Sequence, residues 1–363
     1  MPSEGNGRVS RYALVAIAAA IAGGCGSSNG GEATTATTSA LLAPQSRGGT
    51  YLTVAAAGDF GVGTTGRATL AAMGEAKPDM FMALGDLSYA GPGSERDFCE
   101  LVRSKVGEGP PFEIVSGNHE EDTGGDGRLD AFAACLPDSL NAVGEYGKQY
   151  YFDVGRLARF IMISPDLTID HGYRYYGEDG GADTADLAWL KRTIDEARST
   201  GIQWIVVGMH KNCISVGEYY CEVYQDLFST LIDKKVDLVL AGHDHTYQRS
   251  KQISAPRDGC PNVVVERFEA NCVVDDDNTY GKGLGSTFLI VGTGGAELYP
   301  VHADDPEAGY FASAMGRNTP GARHGFAMLA FSPQRLAVQF IGSAPGSFSD
   351  RFEIRRETPE PSG

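Results

Sequence analysis

The chain has 363 residues, 42 % of them hydrophobic, enough for a sizeable buried core. Its formal net charge is -17 and its isoelectric point about 4.8, which argues against general binding of DNA or RNA backbones. A phosphate-bearing ligand would need concentrated local positive charge, which metal ions can supply.

Arg8 and Arg11 precede an apolar run from Tyr12 to Ala22. The run is too short to span a bilayer but suits the core of a signal peptide. Gly23, Gly24 and Cys25 follow. Small residues before a cysteine resemble a bacterial lipobox, although Ala22 stands where a larger aliphatic is usual. The expectation is a signal peptide over residues 1–25, with Cys25 lipidated and holding the protein to a membrane. Ordinary signal cleavage is the other reading. Either way the protein is expected outside the cytoplasm, as a cell-envelope lipoprotein or a secreted protein. Residues 26–48 are mostly Gly, Ser, Thr and Ala. They cannot bury enough surface to offset their ordering entropy, and read as a flexible tether. One folded domain is expected over residues 49–357.

Within it, short apolar runs recur at residues 52–57, 80–84, 112–115, 160–163, 202–207 and 236–241. Each reads as a buried strand. Helical spacing falls between them at 67–76, 185–199 and 224–234. Alternation of strand and helix predicts an α/β fold. Beyond Val263 the pattern is mostly strand, at 287–291, 326–331 and 336–341. A second, more antiparallel sheet packed on the first fits that change. Apart from Cys25, six cysteines remain, an even number that suits disulfides in an oxidising compartment. Neighbours along the chain suggest Cys99 with Cys135, Cys213 with Cys221 and Cys260 with Cys272, one of fifteen arithmetic possibilities. No CxxC pair supports zinc binding instead.

Five strands end in a metal-ligand type of residue. Gly58-Asp59 closes the first, and Gly85-Asp86-Leu87-Ser88-Tyr89 the second. Gly117-Asn118-His119-Glu120 closes the third. His210 follows the strand near 205, and Gly242-His243-Asp244-His245 the last of the set. Ligands of open α/β sheets bind at the carboxyl ends of strands, so five segments would converge on one place. Singly each piece is a weak signal, a turn, a loop or a core histidine as readily as a ligand; jointly they point to a metal centre.

The series resembles the calcineurin-like metallophosphoesterase family, whose blocks run D, GDxxY, GNH(D/E), xxxH and GHxH. Tyr89 narrows the resemblance to purple acid phosphatases. So do the stretch from Gly242 to Ser250, GHDHTYQRS, and Gly292-Thr293-Gly294-Gly295. The resemblance covers residues 51–353, and implies a four-layer α/β/β/α sandwich of two mixed sheets flanked by helices. It implies that Asp59, Tyr89 and His245 bind one metal ion, that Asn118, His210 and His243 bind a second, and that Asp86 bridges them. A phenolate favours Fe(III), while imidazole and amide oxygen accept a divalent iron, zinc or manganese ion. The implied reaction is hydrolysis of a small phosphate monoester by attack of a metal-bound hydroxide, with Asp86 and His119 as catalytic residues. His119 would contact phosphate and protonate the leaving group. A phosphodiesterase or nucleotidase using manganese or zinc, and a cell-surface metal-binding lipoprotein without activity, are the alternatives.

Plant enzymes of this type carry a further histidine between the fourth and fifth blocks. Here Tyr219 and Tyr220 occupy that region. Their separate N-terminal β-domain is expected to be absent here, since few residues precede Tyr51. His171, His302 and His324 read as surface or loop histidines, and Asp275-Asp276-Asp277 as a solvated loop.

Overall fold

The computed structural model describes residues 51–91, 93–169, 171–177 and 184–356. The expected signal segment, Cys25 and the tether lie outside them.

The first part alternates strand and helix. Leu52–Ala57 (β1), Met80–Leu84 (β2) and Phe112–Val115 (β3) pair in parallel, joined by the helices Thr64–Ala76 (α1) and Glu95–Val106 (α2). Near-continuous apolar sequence suits strands covered on both faces. α1 buries Gly66, Thr69, Leu70 and Met73 as one stripe, and ends where Lys77 turns left-handed before Pro78. After Leu129–Cys135 (α3) come Val143–Glu145 (β4), Gln149–Val154 (β5) and Ala158–Ile163 (β6). A hairpin of Leu167–Ile169 (β7) and Tyr173–Tyr175 (β8) precedes the helix Ala185–Ser199 (α4). Thr184 caps α4, its Oγ1 accepting the Leu187 N–H at 3.3 Å. Then follow Trp204–Gly208 (β9), Gln225–Asp233 (α5), Leu238–Ala241 (β10) and Tyr247–Ser250 (β11). The remainder is strand-rich: Gln252–Ile253 (β12), Val273–Asp275 (β13), Thr279–Gly281 (β14), Thr287–Val291 (β15), Phe311–Met315 (β16), Gly325–Phe331 (β17), Arg335–Gly342 (β18) and Arg351–Arg355 (β19).

Two mixed sheets result. One is ordered β14-β19-β18-β17-β1-β2-β3 and the other β16-β11-β15-β10-β9-β6-β5-β4. They face each other through rings, Phe160 against Phe331 at 5.5 Å and Tyr247 against Phe340 at 5.0 Å between centroids. Trp204 Nε1 donates across to the Ser332 carbonyl at 2.7 Å. α1 packs on β17, and α2 reaches the same side through Phe98 against Phe60. α4 and α5 cover the other sheet through Trp189 on Tyr151 and Phe228 on Phe288. The expected four-layer sandwich is therefore observed. Arg249 ties the sheets together, bonding Asp350, the Tyr280 hydroxyl and Asn278, so the RS end of the GHDHTYQRS stretch is structural.

The helix expected from residue 67 begins at Thr64, and α2 and α3 were not anticipated. α2 nonetheless carries a legible stripe, Phe98, Leu101, Val102 and Val106. The three expected disulfides are present, Cys99–Cys135, Cys213–Cys221 and Cys260–Cys272. They fit an oxidising compartment. Among the described residues no helix is long and apolar enough to cross a membrane.

Glu113 lies in β3 with no exposed surface. Burial, reinforced by the charge of Asp138, pushes its carboxyl up to about 8 from an ordinary 4.5. The folded state thus holds this proton more tightly than the unfolded chain. The stability it confers is full below the unfolded value near 4.5 and is lost as pH rises towards 8. Glu113→Gln is expected to be more stable than wild type near pH 8 by on the order of 3 kcal/mol, the gap closing below about pH 5. Urea unfolding of both proteins in chelator at the two pH values measures this. The same gap at both would mean that Glu113 ionises in the fold as it does in water.

Candidate metal centre

The loops leaving β1, β2, β3, β9 and β10 meet at one end of the sandwich, because these strands run in parallel within their sheets. The β1 and β2 loops are zipped together: Asp59, Phe60 and Gly61 donate their N–H groups to the carbonyls of Gly85, Asp86 and Leu87. Asp59, Asp86, Tyr89 and His243 all sit in the left-handed region, with φ of 62, 52, 50 and 67°. Such conformations cost about 1 kcal/mol or more each and collect at functional sites. Two glycines give the room. A Cβ on Gly85, itself at φ 85°, would lie 2.5 Å from His210 Nδ1, and one on Gly117 would lie 2.0 Å from Asp86 Oδ1.

The seven expected ligand residues come together in two groups that share Asp86. In the first, the Tyr89 hydroxyl lies 3.0 Å from Asp59 Oδ1, 2.8 Å from Asp86 Oδ2 and 2.9 Å from His245 Nε2. His245 Nε2 is 3.4 Å from Asp59 Oδ1. In the second, His210 Nε2 lies 3.1 Å from Asn118 Oδ1 and 3.3 Å from Asp86 Oδ2. Asp86, His210 and His243 each offer a ligand atom, all within 4.8 Å of one another.

The donor chemistry fits cations. His210 Nδ1 donates to the Leu84 carbonyl at 2.7 Å, and His245 Nδ1 to the Glu297 carbonyl at 2.9 Å. Each neutral ring then presents an Nε2 lone pair inwards. Tyr89 has one hydroxyl proton for three acceptors. His210 Nε2 likewise faces Asn118 Oδ1 and Asp86 Oδ2, acceptor against acceptor. A cation at each cluster relieves both conflicts. Without one, protons stand in. Burial would lower His210, yet Asp86 raises it to about 9. Burial would lower His245 as well, but Asp59 holds it above its ordinary value. Burial would raise Asp86, but His210 and His119 hold its carboxyl well below the usual carboxylate range. Burial and the Asp59 and Asp86 carboxylates push the Tyr89 phenol well above its usual value, so ionising it requires strong local positive charge.

His119 stands at the rim. Its N–H donates to Asp86 Oδ1 at 3.0 Å, its Nε2 is 3.7 Å from Asp86 Oδ2, and its ring lies 4.4 Å from that of Tyr89. Its Nδ1 hydrogen-bonds Asp126, whose other carboxylate oxygen accepts the Gly91 N–H at 2.8 Å. Asp126 was missed in the sequence because no local motif marks it. Glu120 was also passed over. Its buried carboxylate accepts the N–H groups of Asp86, Leu87 and Gly117, pinning the β2 and β3 loops together. The residues at the place of the absent histidine are now visible. Glu222 hydrogen-bonds His243 Nε2, which leaves Nδ1 as the nitrogen available to a cation, and Tyr219 stacks on the His243 ring. Burial would raise Glu222, but His243 pulls it below its ordinary value.

His324 lies closer to the centre than a surface histidine. It bonds the Ala296 carbonyl at 2.8 Å, and burial, with His245 nearby, lowers its pKa. His171 and His302 are exposed, and Asp275 and Asp277 accept only local N–H groups of an exposed turn.

A family model described as calcineurin-like phosphoesterase matches residues 52–247, over half the chain, and the chain belongs to that family. Within the family it is similar to purple acid phosphatases. Purple acid phosphatase 15 of Arabidopsis thaliana is 22 % identical over 290 residues, 70 % of this chain and 47 % of that protein. Fe(3+)-Zn(2+) purple acid phosphatase 12 of the same plant is 26 % identical over 216 residues, 54 % of this chain and 43 % of that one. The structure of a purple acid phosphatase from yellow lupin (Lupinus luteus) seeds matches with a TM-score of 0.63 at 20 % identity, over 85 % of this chain and 54 % of that chain. The chain spans about half the length of these relatives.

Proposed function

We propose that the protein is a two-metal hydrolase of phosphate monoesters acting outside the cytoplasm. The observation that carries this reading is the Tyr89 hydroxyl set among Asp59, Asp86 and His245. A phenolate ligand suits Fe(III) and has no obvious use in a manganese or zinc site. Asp59, Tyr89 and His245 would hold one ion, Asn118, His210 and His243 the other, and Asp86 both. The second ion would be iron, zinc or manganese. The ions would supply Lewis acidity, charge to bind a phosphate dianion, and a nucleophile at acidic or neutral pH. The protein's part is orientation and proton delivery. The His210 and His245 rings are held by the Leu84 and Glu297 carbonyls, and His243 by Glu222. His119, held through Nδ1 by Asp126, can carry a proton on Nε2 to the leaving oxygen. The test is metal analysis of purified protein combined with a panel of mono- and diesters. Two ions per chain and faster turnover of monoesters are expected. Faster turnover of diesters, or no turnover of either at full metal content, would overturn the reading.

A further inference from the structure

His210 and the residue that holds His243 stand at the two ends of one small loop. Cys213 follows closely after His210, Cys221 directly precedes Glu222, and the two cysteines are bonded. The Glu222 N–H donates to the Asn212 carbonyl at 3.3 Å, so the chain leaving His210 and the chain returning as Glu222 lie side by side. The Glu222 carboxylate then reaches His243 Nε2, and the His243 ring meets that of His210 at 4.9 Å between centroids. The middle of the loop has anchors of its own. Ser215 N–H donates to Glu307 Oε2 at 3.0 Å, Val216 N–H to Gln248 Oε1 at 2.7 Å, and Glu218 N–H to Asp244 Oδ1 at 3.3 Å. Past Glu218 the support is thinner: Tyr219 stacks on His243, but Tyr220 is 70 % exposed. Among the described contacts, Glu222 is fixed by the bridge at Cys221, one backbone hydrogen bond and the buried Val223 that follows it.

The first ion group does not share this support. Asp59 and Tyr89 leave the β1 and β2 loops, which are bonded to each other, and His245 Nδ1 donates to the Glu297 carbonyl. A chain with free thiols at Cys213 and Cys221 would keep those contacts. It would lose the constraint that aims Glu222 at His243. An imidazole without its outer partner can rotate and can carry its proton on either nitrogen, and such partners are worth about 10- to 100-fold in metal affinity.

We propose that Cys213 and Cys221 are positioning residues for the second ion, and that the chain completes its metal centre only once they are joined. The proposal rests on the two-ion part of the reading above, not on the choice of ester. Bridge formation takes two protons and two electrons from the thiols; a disulfide oxidant accepts them by thiol–disulfide exchange and leaves as two thiols. In a reducing compartment the chain would hold the first ion alone. The oxidising compartment that the three disulfides fit would admit the second.

Zinc titration of the metal-free full chain, in competition with a chromophoric chelator, reads both ions independently of turnover. Wild type is expected to take two. Cys213→Ser/Cys221→Ser should keep one and bind the other about 10- to 100-fold more weakly. Serine also removes the thiols, which as thiolates would bind zinc themselves. Glu222→Ala, with the bridge intact, should give the same loss. Combining it with Cys213→Ser/Cys221→Ser should add little, because both act through His243. Cys260→Ser/Cys272→Ser opens a bridge with no ligand beside it in sequence, and should leave both affinities largely unchanged. Unchanged binding in Cys213→Ser/Cys221→Ser overturns the proposal. So does loss of both ions, the same loss in Cys260→Ser/Cys272→Ser, or a loss that adds in full to that of Glu222→Ala. A wild type that takes a single ion overturns the two-metal reading itself, whatever the bridge does.

Discussion

Asp86→Asn is expected to lose at least one metal ion and to lower kcat/KM on the order of a thousandfold. The argument is geometric. Asp86 Oδ2 is 2.8 Å from the Tyr89 hydroxyl and 3.3 Å from His210 Nε2, one atom facing both ligand groups. An amide at the same place carries no charge and offers one oxygen where the carboxylate offers two. Both ions would lose an anionic donor, and their mutual repulsion would be less well screened. Asn is also the replacement best suited to φ 52°, so the backbone is kept and the loss can be ascribed to the ligand. Its side-chain oxygen can still accept the His119 N–H, now 3.0 Å from Asp86 Oδ1. Metal analysis and steady-state kinetics on the same preparation measure the effect. Two ions at full occupancy with activity within about tenfold of wild type would remove Asp86 from the bridging role.

Tyr89→Phe is expected to abolish a visible ligand-to-metal charge-transfer band while sparing the fold. The Tyr89 ring packs 4.4 Å from that of His119, and Phe keeps that contact and the same backbone demand at φ 50°. Only the oxygen is removed. Burial and two carboxylates hold the phenol well above its usual pKa in the metal-free protein. A coloured phenolate therefore reports a strongly Lewis-acidic ion such as Fe(III) in the first group, and a colourless wild type after iron loading reports its absence. Activity should fall less than in Asp86→Asn, because Asp59, Asp86 and His245 remain in that group. Absorption spectra of iron-loaded wild type and variant decide the point. If neither is coloured and both are equally active, Tyr89 is a packing residue and the manganese or zinc diesterase reading gains.

The sequence by itself determined the strand-end segments that bear Asp59, Asp86, Tyr89, Asn118, His119, His210, His243 and His245. Each is a short run in which a glycine, one or two places ahead of the first ligand-type residue, ends an apolar stretch, so one window holds the whole signal. It also carried the two-sheet architecture, since buried strands read as apolar runs, and the three disulfides, since each joins neighbouring cysteines along the chain. Tertiary structure alone decided the partners. Asp126 orients His119, Glu222 holds His243, Glu120 pins two loops, and Tyr299 reaches His245 from the loop that follows β15. Glu120 closes the GNH(D/E) block but its partners are not legible there; the other three sit in no motif, because a carboxylate or a phenol can reach an imidazole from any segment that the fold brings close. The ligand nitrogens belong here too: which atom of each ring faces inwards depends on a carbonyl or carboxylate from elsewhere in the chain. A metal centre needs its ligands close together, which leaves a mark in local sequence. It needs their orientation as well, and that is set by contacts that only the packed sheets and loops create.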